Sequence, residues 1–183
     1  MPGGHFYFRS RKHFSQNKPF KDKDKKIIFR VQTAGNDMKY EVDISIDLPR
    51  ERVIELFNNQ ENLSKWMPTL KSFNHKSGEP GEEGAKSTMV FTMRGKDTEM
   101  TETIVKQNFP EEFHCTYETT GVWNLQENYF TEPDKDSTHW RSVCEFKGTN
   151  FMMKAMLFLM PGMFKKESCR YLERFKSFAE AAS

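Results

Sequence analysis

Few side chains in this sequence could move a proton. Glu102 stands among Met100 and Ile104 in an extended segment, on a parity that can face inward. Glu118, Glu127 and Arg141 also sit in strand segments, as do His114 and His139. A buried carboxylate with a raised pKa could abstract a proton in a cyclase or isomerase. Glu102, His139 and Tyr117 are the residues that would carry such a step, although a solvated outer face or a buried Glu–Arg pair is the commoner setting for such groups. Tyr117, Tyr129, Trp123 and Trp140 could orient a ligand's polar end through an O–H or N–H, against the commoner role of packing with one satisfied hydrogen bond. His114 and Cys115 are neighbours on opposite strand faces and cannot share a metal, and His139 has no partner at ligand spacing. Neither a metal site nor a cofactor is expected. The sequence has no nucleophile elbow, P-loop or dinucleotide fingerprint.

These groups need elements to hold them, and the hydrophobic period supplies the elements. Tyr40 to Leu48 alternates strictly, as a half-buried strand does. Pro49 then suits the first position of a short helix, with Asp47 as its cap and Val53, Ile54, Leu56 and Phe57 as its apolar side. Glu61–Trp66 reads as a second short helical piece, stopped by Pro68. Six strands follow: Leu70–Lys76, Ala85–Met93, Thr98–Gln107, Glu112–Thr119, Trp123–Thr131 and Ser137–Lys147. Gly, Pro and Asp clusters separate them. Short links imply antiparallel pairing, and seven strands in one sheet must twist and curl. The object to curl around is Asn150–Ala182, predicted as one long helix kinked near Pro161. Its second half carries a stripe of Phe164, Ser168, Tyr171, Leu172, Phe175, Phe178 and Ala179. Its first half is apolar almost all round, which predicts cover on several sides. Layer logic makes the whole an α+β arrangement.

The chain's 183 residues suffice for one domain with a sizeable core. Residues 1–37 hold nine Lys/Arg and three Asp, a net of +6, whereas residues 38–183 hold nineteen Lys/Arg and twenty-three Asp/Glu, a net of −4. The basicity belongs to the tail, so the domain is not expected to bind nucleic acid. The tail has no regular period. It reads as a disordered extension, or as translated upstream sequence ahead of a natural start at Met38, more readily than as a transit peptide or a membrane- or nucleic-acid-binding arm. Cys115, Cys144 and Cys169 form no CxxC, which suggests neither a disulfide framework nor a zinc site and fits the cytoplasm. The apolar run at 151–164 is fourteen residues long, short of the ~20 needed to span a membrane. No secretory signal and no stable membrane insertion are expected.

Over residues 38–182 the chain resembles the START-like, or SRPBCC, superfamily of polyketide cyclase/dehydrase and lipid-transport proteins. The resemblance is carried by Val42–Phe57, by Leu63-Ser64-Lys65-Trp66-Met67-Pro68, by the Gly-Glu-Glu-Gly turn at 81–84 and by Leu159-Met160-Pro161-Gly162. It implies a helix-grip fold, with a cavity between sheet and C-terminal helix that binds or processes apolar small molecules. It implies no shared catalytic residue.

A cavity in that place would be walled by Met89, Phe91, Met93, Phe113, Cys115, Tyr117, Trp140 and Phe146 from the strands. Met152, Met153, Met156, Leu159, Met160 and Met163 would face them from the helix. Methionine is flexible and polarisable, so such a wall adapts to varied apolar guests. The break at Pro161-Gly162 would loosen the helix and form the cavity mouth. Binding or transport of an apolar small molecule (lipid, sterol-like or aromatic) is the leading expectation. A small cyclase, dehydrase or isomerase working in the same cavity is the second, and a helper module for another protein the third.

Overall fold

The computed structural model of the protein describes residues 32–34, 37–93 and 95–182. The elements are β1 (Gln32–Ala34), β2 (Asp37–Ile46), α1 (Arg50–Asn58), a 3-10 turn (Gln60–Asn62), α2 (Leu63–Trp66), β3 (Leu70–Ser77), β4 (Lys86–Met93), β5 (Lys96–Asn108), β6 (Glu112–Thr119), β7 (Val122–Asp134), β8 (Ser137–Gly148), α3 (Phe151–Leu159) and α4 (Pro161–Ala181). The expected meander is present: β3 to β8 pair in sequence, each antiparallel to the next. The first long strand, β2, then joins the last, β8, from Asp37↔Lys147 to Ile46↔Thr138. The sheet has one strand more than the seven predicted, because Gln32–Ala34 pairs with Lys39–Asp37 as β1. The rest of the expected basic tail, residues 1–31 and 35–36, lies outside the described residues.

The curved sheet grips α4 as its pattern requires. Leu172, Phe175 and Ala179 are buried and Phe164, Tyr171 and Phe178 half-buried, all on the predicted stripe. Hydrogen bonds tie the helix to β2 and its exit: Tyr40 Oη to Ser168 Oγ (2.8 Å), Lys176 Nζ to the Ser45 carbonyl (2.6 Å) and the Asp47 amide to Glu180 Oε1 (2.9 Å). Phe57 of α1 closes the core from the other side. Its ring lies 5.3 Å from Phe130, 5.4 Å from Trp140 and 5.8 Å from Phe175. Pro49 stands at the N-cap of α1 rather than inside the helix, and no side chain caps that end, so Asp47 does not play the role expected of it.

The single kinked helix predicted for Asn150–Ala182 is two helices. Met160 (φ −133°, ψ 47°) leaves helical space, and Pro161 takes the first position of α4, where its missing N–H costs nothing. The expected cover over the first half is also absent on one side. Leu157 is buried and Met153 and Met156 are half-buried where α3 packs on β8 and β2. Phe151, Met152, Phe158 and Leu159 remain 88, 74, 76 and 72% exposed. A helix lying on the end of one sheet meets a single surface, so apolar residues all round cannot all be covered. The contact it does make is close. A Cβ at Gly148 would stand 2.7 Å from the Lys154 amide nitrogen, so α3 starts directly on backbone.

Asn150 caps α3, its Oδ1 accepting from the Met153 amide at 2.8 Å. Asn150→Ala should cost about 1 kcal/mol in a denaturation midpoint, with amide exchange quickening at 152–154. An unchanged midpoint together with unchanged exchange would refute that role.

Candidate functional site

Glu102, Tyr117 and Trp140 meet in a cavity of about 90 Å³ between β4–β7, the α1–α2 segment and α4. Strand parity builds its floor. The register aligns Ser87, Glu102, Tyr117 and Asn124 across β4, β5, β6 and β7, and Met89, Ile104, Cys115 and Gln126 share the same inward face. Phe57, Leu63, Trp66 and Met67 form the roof, and Tyr171 is the contribution of α4. Trp140 closes one end. Its Nε1–H donates to Asn128 Oδ1 at 3.0 Å, while Asn128 Nδ2 donates to the Phe113 carbonyl at 3.1 Å, so the indole is pinned by a buried amide. The exposed rim consists of Asn58, Gln60 and His75. The mouth therefore lies between the α1–α2 connection and β3, not at Pro161-Gly162 as expected.

The polar content of this cavity is small and specific. Glu102 is buried, and loss of hydration pushes its carboxyl above the usual carboxylate range, with the Tyr117 hydroxyl pulling partly back. Burial holds the Tyr117 and Tyr171 hydroxyls well above their usual range, so both stay protonated donors. The Cys115 thiol, likewise pushed up by burial, donates to Tyr117 Oη at 3.2 Å. Trp66 is buried and its indole N–H has no hydrogen-bond partner among the described residues. An unpaired buried donor is costly unless something completes it, and a guest's oxygen could do so.

Of the residues predicted from sequence, Met89, Phe113, Cys115, Tyr117, Trp140 and Glu102 are brought together here. The others are not. Phe91 is half-buried outside the cavity and Met93 is 43% exposed at the hairpin end. Phe146 packs between Tyr40 (5.9 Å) and Phe164 (5.1 Å), beyond the cavity. Met152 and Met160 are exposed and Met156 and Met163 half-buried, none of them lining it, because α3 sits on the far end of the sheet. His139 faces outward, 3.9 Å from the Asp43 carboxylate. Trp123 lies under Lys147 (4.6 Å) and Tyr129 under Arg141 (4.5 Å), also on the outer face. Lys165 of α4 is buried.

The outward position of Trp123 and Tyr129 follows from the register of β7. Its inward row is Asn124, Gln126, Asn128 and Phe130, paired with Phe146, Cys144, Ser142 and Trp140. A rule that turns apolar residues inward reads that strand backwards. Phe57 and Trp66 were legible as the large aromatics of α1 and α2. What was missing was the knowledge that this segment, rather than α3, faces the concave sheet.

No curated protein sequence matches the chain. The family model for polyketide cyclase / dehydrase and lipid transport matches residues 37–180. Among solved structures, the chain is similar to the Zhui aromatase/cyclase from Streptomyces sp. R1128, with 13% identity and a TM-score of 0.65 over 79% of this chain and 94% of that one. It is similar to a START superfamily protein from Mycobacterium smegmatis, with 10% identity and a TM-score of 0.63 over 79% and 99%. It is also similar to a point mutant of norcoclaurine synthase from Thalictrum flavum in complex with a transition-state analogue, with 13% identity and a TM-score of 0.61 over 83% and 100%. At such identities the likeness is one of fold.

Proposed function

The chain belongs to the polyketide cyclase/dehydrase and lipid transport family, and from that premise we propose that it binds a small apolar molecule in the cavity floored by Glu102 and Tyr117. The observation that carries this reading is a mostly apolar space lined by one buried carboxyl, Glu102, and by Trp66, whose buried indole N–H has no hydrogen-bond partner among the described residues. Its volume of about 90 Å³ narrows the guest. Pockets for drug-sized ligands run to roughly 300–1,000 Å³, so this space suits a smaller guest than a sterol or a long acyl chain. A molecule of about one aromatic ring does, with an oxygen directed at Trp66, Glu102 or Tyr117. Three free thiols suit a reducing compartment such as the cytoplasm for such a protein.

The test is calorimetric titration with phenol, 4-methylphenol, indole and benzaldehyde, against palmitate and cholesterol as oversized controls. The single-ring compounds should bind and the controls should not. Ser87→Leu fills the floor and should abolish that binding at a stability cost of about 1–3 kcal/mol. Binding of none of the single-ring compounds, or equal binding to the variant, would end the proposal.

The buried position of Glu102 favours a second reading, acid–base chemistry on the guest. A desolvated carboxyl can exchange a proton at neutral pH where a solvated one is fully ionised. Turnover lost in Glu102→Gln with guest affinity retained would favour it over binding alone.

A further inference from the structure

The exposed side of α3 is the least expected surface of the molecule. At helical spacing, Phe151, Met152, Phe158 and Leu159 fall on one face, with Ala155 between them. All four large residues are more than two-thirds exposed, and Met160 extends the patch at 51%. Single exposed apolar residues are ordinary, but a contiguous face of four on one short helix is not.

The charges around it indicate what covers it. From Thr149 to Lys166 the sequence has three lysines and no acid. Lys166 is exposed and Lys154 half-buried. An apolar helix face in a stretch of chain that carries lysines and no acid suits a surface that is apolar inside and anionic at its boundary. A second copy of this face would bring lysines against lysines.

We propose that the outer face of α3 docks on anionic lipid bilayers, with Phe151, Met152, Phe158 and Leu159 entering the headgroup region and Lys154 and Lys166 lying among the phosphates. This is peripheral contact. No described helix is long and apolar enough to cross a membrane. The proposal does not depend on the cavity's guest.

Co-sedimentation of the full chain with vesicles tests it. Vesicles of equal parts phosphatidylglycerol and phosphatidylcholine should pellet the protein at least tenfold more efficiently than phosphatidylcholine alone, and added salt should reverse this. Phe158→Ser with Leu159→Ser should reduce pelleting about tenfold or more with an unchanged melting temperature, since both residues are already in water. Lys166→Glu should weaken anionic binding alone. A wild-type chain that stays in the supernatant, or a double variant that pellets equally, overturns the proposal. So does a dimer in sedimentation equilibrium that the double variant abolishes, which would give the face to a second copy. A photo-reactive residue at position 158 that cross-links to residues 1–31 without vesicles would give it to the chain's own N-terminal segment and overturn it as well.

Discussion

Phe175→Ala should lower the melting temperature by roughly 6–20 °C, the largest loss expected from any single substitution considered for this protein. The figure follows from about 3–5 kcal/mol for emptying a fully buried phenylalanine site. In a domain of this size each kcal/mol shifts melting by about 2–4 °C. Phe175 is 0% exposed and stands where every layer meets. Its ring lies 5.0 Å from Trp66, 5.3 Å from Trp140 and 5.8 Å from Phe57, one partner each from α2, β8 and α1. Collapse to fill the void would require all three rings to move, and Trp140 is pinned by Asn128. Phe175→Leu keeps most of the volume and should cost less than half as much. A Phe175→Ala variant within about 1 kcal/mol of wild type in chemical denaturation would show that the aromatic cluster is not the core's centre.

The second large effect concerns Glu102 and pH. Burial raises its carboxyl pKa in the folded protein above the ordinary value of 4.5. The folded state therefore holds this proton more tightly than the unfolded chain does. The resulting stabilisation is fully present below pH 4.5 and is lost as pH rises through the folded-state value. Glu102→Gln keeps the shape without the titration. It should be more stable than wild type at pH 7, and the gap should close toward pH 4. Wild-type curves alone would mislead, because Asp97 and Glu112 act in the opposite sense. Hydrogen bonds from Lys71 and Lys106 hold those two carboxyls below their usual range. Their contribution is lost as pH falls, so only the difference between wild type and variant isolates Glu102. The cavity guest should respond as well. A protonated Glu102 donates a hydrogen bond and favours a carbonyl oxygen, whereas an ionised one accepts and favours a hydroxyl. Calorimetric preference for benzaldehyde over phenol should therefore weaken as pH rises. A pH-independent stability gap between wild type and Glu102→Gln would refute the assignment.

The fold was legible because its signals are local and periodic. Glu112–Thr119 alternates cleanly and was placed to the residue, and the α4 stripe from Phe164 to Ala179 is buried or half-buried throughout. Glu102 was legible through its parity with Ile104. The methionine wall failed for a different reason. Met152, Met156 and Met160 are apolar and helical, but composition does not say which side of a helix meets a sheet, or at which end. That depends on the loss of helical geometry at Met160 and on the close approach of α3 to Gly148, both of which are tertiary. The row Asn124, Gln126, Asn128 was hidden because buried amides look like surface residues until their partners are known. Here those partners are the carbonyls of Phe113 and Glu145 and the indole of Trp140.

The pairing of β2 with β8 has a consequence for synthesis on the ribosome. The first long strand to leave the exit tunnel waits about a hundred residues for its neighbour, and the concave surface waits longer still for α4. Loop closure over such a span is slow, and strand edges left bare in the meantime invite aggregation. Much of the chain must be exposed before it can become native, so the nascent polypeptide is a natural client for chaperones until its last turns emerge.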